Sequence, residues 1–130
     1  MQNKVLIIED DALLAKSLSA NLNYIGIETA VANNWEEGMR ISTENPQIAL
    51  ILLDYLLPDK NGLEVLELLK ETDNTKNIPV VFLTNVNDTG IMQEGLEKGA
   101  SGYLIKSDIT IDTIIDITSQ YIEVPEIKIG

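Results

Sequence analysis

The chain contains no cysteine and no histidine, a single tryptophan, a single phenylalanine and only nine basic residues in 130. Without cysteine there is no disulfide framework and no thiolate nucleophile, and a cytoplasmic location is the expectation. Without histidine there is no imidazole metal site, no serine–histidine nucleophile and no phosphohistidine carried on this chain. Nine Lys and Arg against 21 Asp and Glu leave a net charge of −12. Direct nucleic-acid binding, which depends on bases that neutralise phosphates, is therefore not expected. No apolar run approaches the roughly 20 residues that a spanning helix needs. Met1-Gln2-Asn3-Lys4 also lacks the charged, then apolar, then small pattern of a secretory signal, so no membrane partner is expected.

What the chain does have is carboxylate, which suits hard cations such as Mg²⁺. Its length fits one domain with a real core. A hydrophobic content of 45% and a mean hydropathy of +0.06 are those of an ordinary globular protein. The most informative stretch is Ile48 to Pro58. Its first six residues, Ile48 to Leu53, are an unbroken apolar run of strand length, as in strands buried on both faces of a parallel sheet. One carboxylate, Asp54, stands where the run ends. Ligands of open α/β sheets bind outside the carboxyl ends of the strands, which makes this acid a candidate for chemistry. A turn-opening aspartate is the plainer alternative.

The remaining elements follow in alternation. Lys4 to Ile8 reads as a buried strand, and it ends in Glu9, Asp10 and Asp11. Leu14, Leu18, Leu22 and Ile25 have helical spacing, and Gly26 stops that helix. Ile27 to Ala32 reads as a less apolar edge strand. Asn34 opens a second helix that runs to about Asn45, before Pro46. Pro58-Asp59-Lys60-Asn61-Gly62 is a turn, and Leu63 to Thr72 a helix with Leu66 and Leu69 inward. Pro79 to Leu83 is a strand that ends at Thr84; Asp88 caps a helix through Lys98; Gly102 to Ile105 is a strand that ends at Lys106. The last segment is ambiguous: Ile111, Ile114, Ile115, Thr118 and Ile122 fit a helix face, whereas Ile109 to Ile117 also alternates as a strand does. Segment length favours helix, although β-branched residues are poor helix formers. Ile117 and Tyr121 fall off the main stripe and are candidates for a dimer surface. The expected boundaries are one domain over residues 1–122 and a tail or start of a linker over 123–130.

Five strands alternating with five helices predict a parallel sheet with right-handed crossovers and helices on both faces. The strands then all point one way, and Glu9 with Asp10, Asp54, Thr84 and Lys106 gather at one edge. Each residue has a dull reading alone: Asp11 as a helix cap, Thr84 as a turn residue, Lys106 as a surface lysine. Together they describe a phosphoryl site. Carboxylates about 5 Å apart repel by about 3 kcal/mol per pair at an effective dielectric of about 20. A divalent cation relieves this repulsion. The cation, the Lys ammonium and a Thr hydroxyl can then neutralise the phosphoryl oxygens while Asp54 accepts the phosphorus.

Four motifs in this order resemble those of response-regulator receiver domains, over about residues 4 to 122. They are Ile8-Glu9-Asp10-Asp11, Asp54 to Pro58 with Gly62, Leu83-Thr84, and Gly99 to Lys106. The resemblance implies a flavodoxin-like α/β fold, a doubly wound parallel sheet of five strands in the order 2-1-3-4-5. It implies phosphorylation of Asp54 by a histidine kinase or histidine phosphotransfer protein. It further implies Mg²⁺ held by Asp10, Asp54 and the backbone carbonyl of Leu56, with Glu9 helping through water. Thr84 and Lys106 would hold the phosphoryl group, and Thr84 and Tyr103 would form the switch. That switch reshapes the face of the fourth helix, fifth strand and fifth helix, where an unnamed downstream protein binds or the chain dimerises on phosphorylation. Such a domain catalyses only transfer to, and hydrolysis from, its own aspartate.

Two positions depart from the family. Ser107 stands where proline usually follows the lysine, so a trans bond is expected, with some displacement of the loop. Asn85 stands where a small residue usually follows the threonine. With apolar Leu56 it is expected to restrict access and lengthen the life of the phosphoryl group. A pseudo-receiver that only binds partners is the alternative reading. An aspartyl phosphatase is disfavoured, because Leu56 occupies the place of its general acid.

Overall fold

The computed structural model describes residues 3–85 and 89–125. Among them ten elements alternate: β1 Lys4–Ile8, α1 Ala12–Tyr24, β2 Glu28–Ala32, α2 Trp35–Glu44, β3 Ile48–Asp54, α3 Gly62–Glu71, β4 Val80–Thr84, α4 Thr89–Glu97, β5 Gly102–Ile105 and α5 Ile111–Thr118. A short 3-10 turn, Lys106–Asp108, joins β5 to α5. The strands pair in parallel in the order β2-β1-β3-β4-β5, which is the doubly wound order expected from the motifs.

Burial follows the apolar runs. All seven residues of β3 are buried, as its near-continuous hydrophobicity requires for the central strand. β2 is exposed or half-buried until Ala32, which suits its place at the edge. Alternate residues of each strand serve opposite faces of the sheet. One core gathers Leu6, Ile51, Leu53 and Phe82 with Leu63, Leu66 and Leu69 of α3, and with half-buried Trp35 and Met39 of α2. The other gathers Val5, Ile7, Leu50 and Leu52 with Leu18 and Leu22 of α1 and Ile114 of α5.

The helix starts are local events. Asp11 Oδ1 accepts from the N–H groups of Leu13 and Leu14 at 3.0 and 3.2 Å. Asn34 accepts from Glu37 N at 2.8 Å, and Asn61 from Glu64 N at 2.9 Å. Gly26 and Gly99 end α1 and α4 with φ of +88° and +108°, conformations that side chains resist. Asp88, expected to cap α4, lies outside the described residues.

The ambiguous C-terminal segment is a helix. Thr110 accepts from Thr113 N at 3.2 Å and donates its own N–H to Thr113 Oγ1 at 2.8 Å, a capping box that the strand reading cannot use. Poor intrinsic helicity costs a few tenths of a kcal/mol per β-branched residue, whereas burying an isoleucine stabilises by about 1.5–3 kcal/mol. Packing wins: Ile114, Thr118 and Ile122 are buried. Ile117 and Tyr121, the candidates for a dimer surface, are half-buried and pack against this second core. Val124 packs there too. Pro125 lies against Gly26, where a Cβ would fall 2.9 Å from its Cγ. Residues 126–130 lie outside the described part.

Candidate phosphoacceptor site

The parallel register brings the strand ends together. Asp54 pairs with Leu83 across β3 and β4, and Thr84 with Ile105 across β4 and β5. Glu9 directly follows β1, and Lys106 directly follows β5. Lys106 Nζ lies 2.7 Å from Glu9 Oε1 and 3.1 Å from Asp54 Oδ1, so one ammonium bridges two buried carboxylates. Glu9 is fully buried and Asp54 is 3% exposed. Glu9 Oε2 accepts from Asp11 N at 3.2 Å, and Asp54 Oδ1 from Leu56 N at 3.3 Å. Asp11 is thus the helix cap of its plainer reading, and it also steadies Glu9. No peptide bond among the described residues is cis. The Lys106–Ser107 bond is therefore trans, and the 3-10 turn still delivers Lys106 to Asp54.

Three carboxylates of Glu9, Asp10 and Asp54 offer oxygens within 4.8 Å of one another, with Asp10 exposed. Glu9 Oε1 is buried and makes no aligned hydrogen bond beyond its ion contact with Lys106. An acidic cluster of hard oxygens, only partly balanced by one lysine, fits Mg²⁺. Burial pushes the Glu9 carboxyl up to about 7, and the neighbouring Asp54 carboxylate adds to the rise, while Lys106 and the Asp11 N–H oppose it. Burial alone would lower the Lys106 ammonium, but its contacts with Glu9 and Asp54 outweigh this and hold it above its ordinary value.

The sign of the pH dependence follows. Glu9 titrates higher folded than unfolded, so it stabilises the metal-free protein below about 4.5. That contribution is lost as the pH rises through about 7. Mg²⁺ needs the ionised carboxylate, so its binding should release close to one proton at about pH 6 and almost none at about pH 8.5. Affinity should rise over the same range. Calorimetric titration in buffers of different ionisation enthalpy reads both quantities, and pH-independent binding would remove Glu9 from the cation's surroundings.

A cavity of about 130 Å³ opens beside Asp54, lined by Asp54, Tyr55, Leu56, Thr84, Asn85 and Ile91. Thr84 is 5% exposed at the end of β4, Leu56 is 63% exposed at the rim, and Asn85 is exposed. Tyr103 is 41% exposed on β5. It is in register with Phe82. Sequence reasoning missed Ile91 and Tyr55 as cavity walls. Ile91 belongs to a different element and carries no polar signal, and only the packing of α4 brings it there.

The family model described as response regulator receiver domain matches residues 5–118. The chain is 36% identical over 107 residues to the transcriptional regulatory protein CrdR of Helicobacter pylori, covering 82% of this chain and 49% of that protein. It is likewise 36% identical over 107 residues to the DNA-binding response regulator MtrA of Mycolicibacterium paratuberculosis, covering 82% and 45%. The chain thus spans about half the length of these relatives. Their names leave the expectation of no nucleic-acid partner without support, since the acidic charge speaks only for these 130 residues. The chemotaxis protein CheY4 of Vibrio cholerae superposes with a TM-score of 0.86 at 23% identity, covering 94% of this chain and 100% of that one.

Proposed function

This chain belongs to the response regulator receiver family, and we propose that it is a phosphoacceptor switch with Asp54 as the acceptor. The observation that carries the reading is the convergence of Asp54 with Glu9, Asp10 and Lys106 at one sheet edge, beside an open cavity. An Asp54 carboxylate oxygen attacks the phosphorus of a phosphohistidine on a histidine kinase or phosphotransfer protein. The new P–O bond forms as the P–N bond breaks, and the imidazole leaves with the electron pair. Asp10, Asp54 and the Leu56 carbonyl would hold Mg²⁺, with Glu9 acting through water; bound there, the cation supplies charge neutralisation. Lys106 exchanges part of its contact with the carboxylates for the phosphoryl oxygens, and the Thr84 hydroxyl donates to another. Hydrolysis by water then returns phosphate and the free carboxylate.

As Thr84 is drawn toward the phosphoryl group, Tyr103 turns inward from its exposed position. The face of α4, β5 and α5 changes shape, for an unidentified partner or a second copy of the chain. This is a population shift driven by contacts open only to the phosphorylated form. Leu56 and Asn85 at the cavity rim hinder water and prolong that form. The switch unit is assigned to residues 1–122 and to the cytoplasm, and residues 123–130 are assigned to a tail or start of a linker, of which Val124 and Pro125 still rest on the unit. Incubation with a small phosphodonor and Mg²⁺ should add one phosphate by intact mass, mapped to Asp54 and persisting for minutes or longer. Absence of any gain would leave only a partner-binding module, and continuous donor turnover would indicate a phosphatase.

A further inference from the structure

Phe82 of β4 is 3% exposed and lies two residues before Thr84. Two helices meet its ring with glycines. A Cβ on Gly62, the first residue of α3, would fall 2.7 Å from Phe82 Cε1. A Cβ on Gly95, within α4, would fall 2.7 Å from Cε2 and 3.0 Å from Cδ2. Real contacts of that kind do not fall below 3.0 Å. The ring therefore lies between α3 and α4, with no room for a side chain at the glycine that each helix presents to it. Tyr55 meets the ring edge-on, with centroids 6.3 Å apart at 70°.

The Gly62 edge is continuous with the phosphoacceptor. The same added Cβ would lie 2.8 Å from Tyr55 Cα and 2.9 Å from the Asp54 carbonyl oxygen. Gly62 N donates to Tyr55 O at 2.6 Å, and Leu56 pairs with Asn61 across the loop. One rigid, buried ring thus has the backbone around Asp54 at one edge and α4 at the other. Close-packed interiors transmit such displacements because there is no void to absorb them.

We propose that Phe82 is a positioning residue that couples α4 to the Asp54–Leu56 backbone, by a route separate from Thr84 and Tyr103. This inference rests on the preceding reading in treating α4 as part of an output face and the acids around Asp54 as a Mg²⁺ site. Coupling of this kind is reciprocal. A protein that grips α4 changes the geometry at Asp54, and occupancy of the acidic site moves α4.

The test adds a methyl group on the α4 side. Gly95→Ala should press the ring toward Gly62, shift the amide resonances of Tyr55, Leu56 and Gly62 in the metal-free protein, and weaken Mg²⁺ binding about tenfold, the usual scale for support residues of a metal site. Adding Phe82→Leu should restore both measurements toward wild type, because the smaller side chain makes room. Gly62→Ala should not be rescued by Phe82→Leu, since it also meets backbone at 2.8 and 2.9 Å. Wild-type amide shifts and Mg²⁺ affinity in folded Gly95→Ala, or a change that Phe82→Leu fails to reverse, would overturn the proposal. If Gly95→Ala does not fold, Phe82→Leu alone decides. Its amide changes must appear both at Tyr55–Gly62 and along α4, and a change on one side alone refutes coupling. No phosphodonor enters these measurements, so they test the coupling even if Asp54 fails to take up phosphate.

Discussion

Lys106→Met should destabilise the metal-free protein by about 2–3 kcal/mol at pH 8, roughly 10 °C in Tm, and by much less at about pH 5.5. Methionine keeps most of the aliphatic stem, so the loss is electrostatic. The Nζ that sits 2.7 Å from Glu9 and 3.1 Å from Asp54 is gone, and the two buried carboxylates face each other and Asp10. At separations of up to 4.8 Å and an effective dielectric of about 20, each ionised pair costs at least about 3.5 kcal/mol. The protein limits that cost by protonating Glu9, whose carboxyl is already raised to about 7 with the lysine present. Removing the lysine raises it further. The deficit therefore grows as the pH climbs through 7 and shrinks in acid, and Mg²⁺ should recover much of it by replacing the missing charge. Thermal unfolding at both pH values, with and without Mg²⁺ at low salt, reads all three effects. An equal deficit at pH 5.5 and pH 8 would assign the loss to packing instead.

Asp54→Asn should abolish phosphoryl uptake while making the metal-free protein more stable, by about 1 kcal/mol at pH 8. The amide has the carboxylate's shape and can still accept from Leu56 N, now 3.3 Å from Oδ1, but it is no nucleophile toward phosphorus. Three acids and one lysine become two acids and one lysine, with Glu9 and Lys106 left as a matched pair. Burial still raises the Glu9 carboxyl, but the contribution from Asp54 disappears, so its titration moves down. Intact mass after phosphodonor treatment and urea unfolding without metal give the two readouts. A phosphate gain that survives the substitution would place the acceptor elsewhere. Lower stability would mean that Asp54 is held more by Lys106 than it is strained by its acidic neighbours.

Much of the site was legible because each strand announces its own end. Ile48 to Leu53 is apolar without interruption and Asp54 is not; the same break occurs at Glu9, Thr84 and Lys106. Such breaks are local, and parallel topology then places them together without knowledge of any contact. The direct bridge from Lys106 to Glu9 was not legible, because water-mediated metal help was the role implied for Glu9. Which oxygen a lysine reaches depends on ångström-scale placement of β1 against β5, two strands that are not neighbours in the sheet. Nor was the wedge of Phe82 between Gly62 and Gly95. A lone aromatic in an apolar strand and two glycines in helices look ordinary until α3 and α4 are laid over β4.

The residues alone determined which elements form and in what order, since caps at Asp11, Asn34 and Asn61, turns at Gly26 and Gly99 and strand-length apolar runs act over a few neighbours. They also determined the acidic chemistry, because a chain without histidine or cysteine has carboxylates to offer a cation. Tertiary structure alone decided that α5 buries Ile114 and that Ile117 and, beyond the helix, Tyr121 are half-covered. It also decided that one ammonium serves two acids and that a single ring separates two helices. Those outcomes turn on burial and distance between residues far apart in the chain, where a few kcal/mol of packing outweigh tenths of a kcal/mol of local preference.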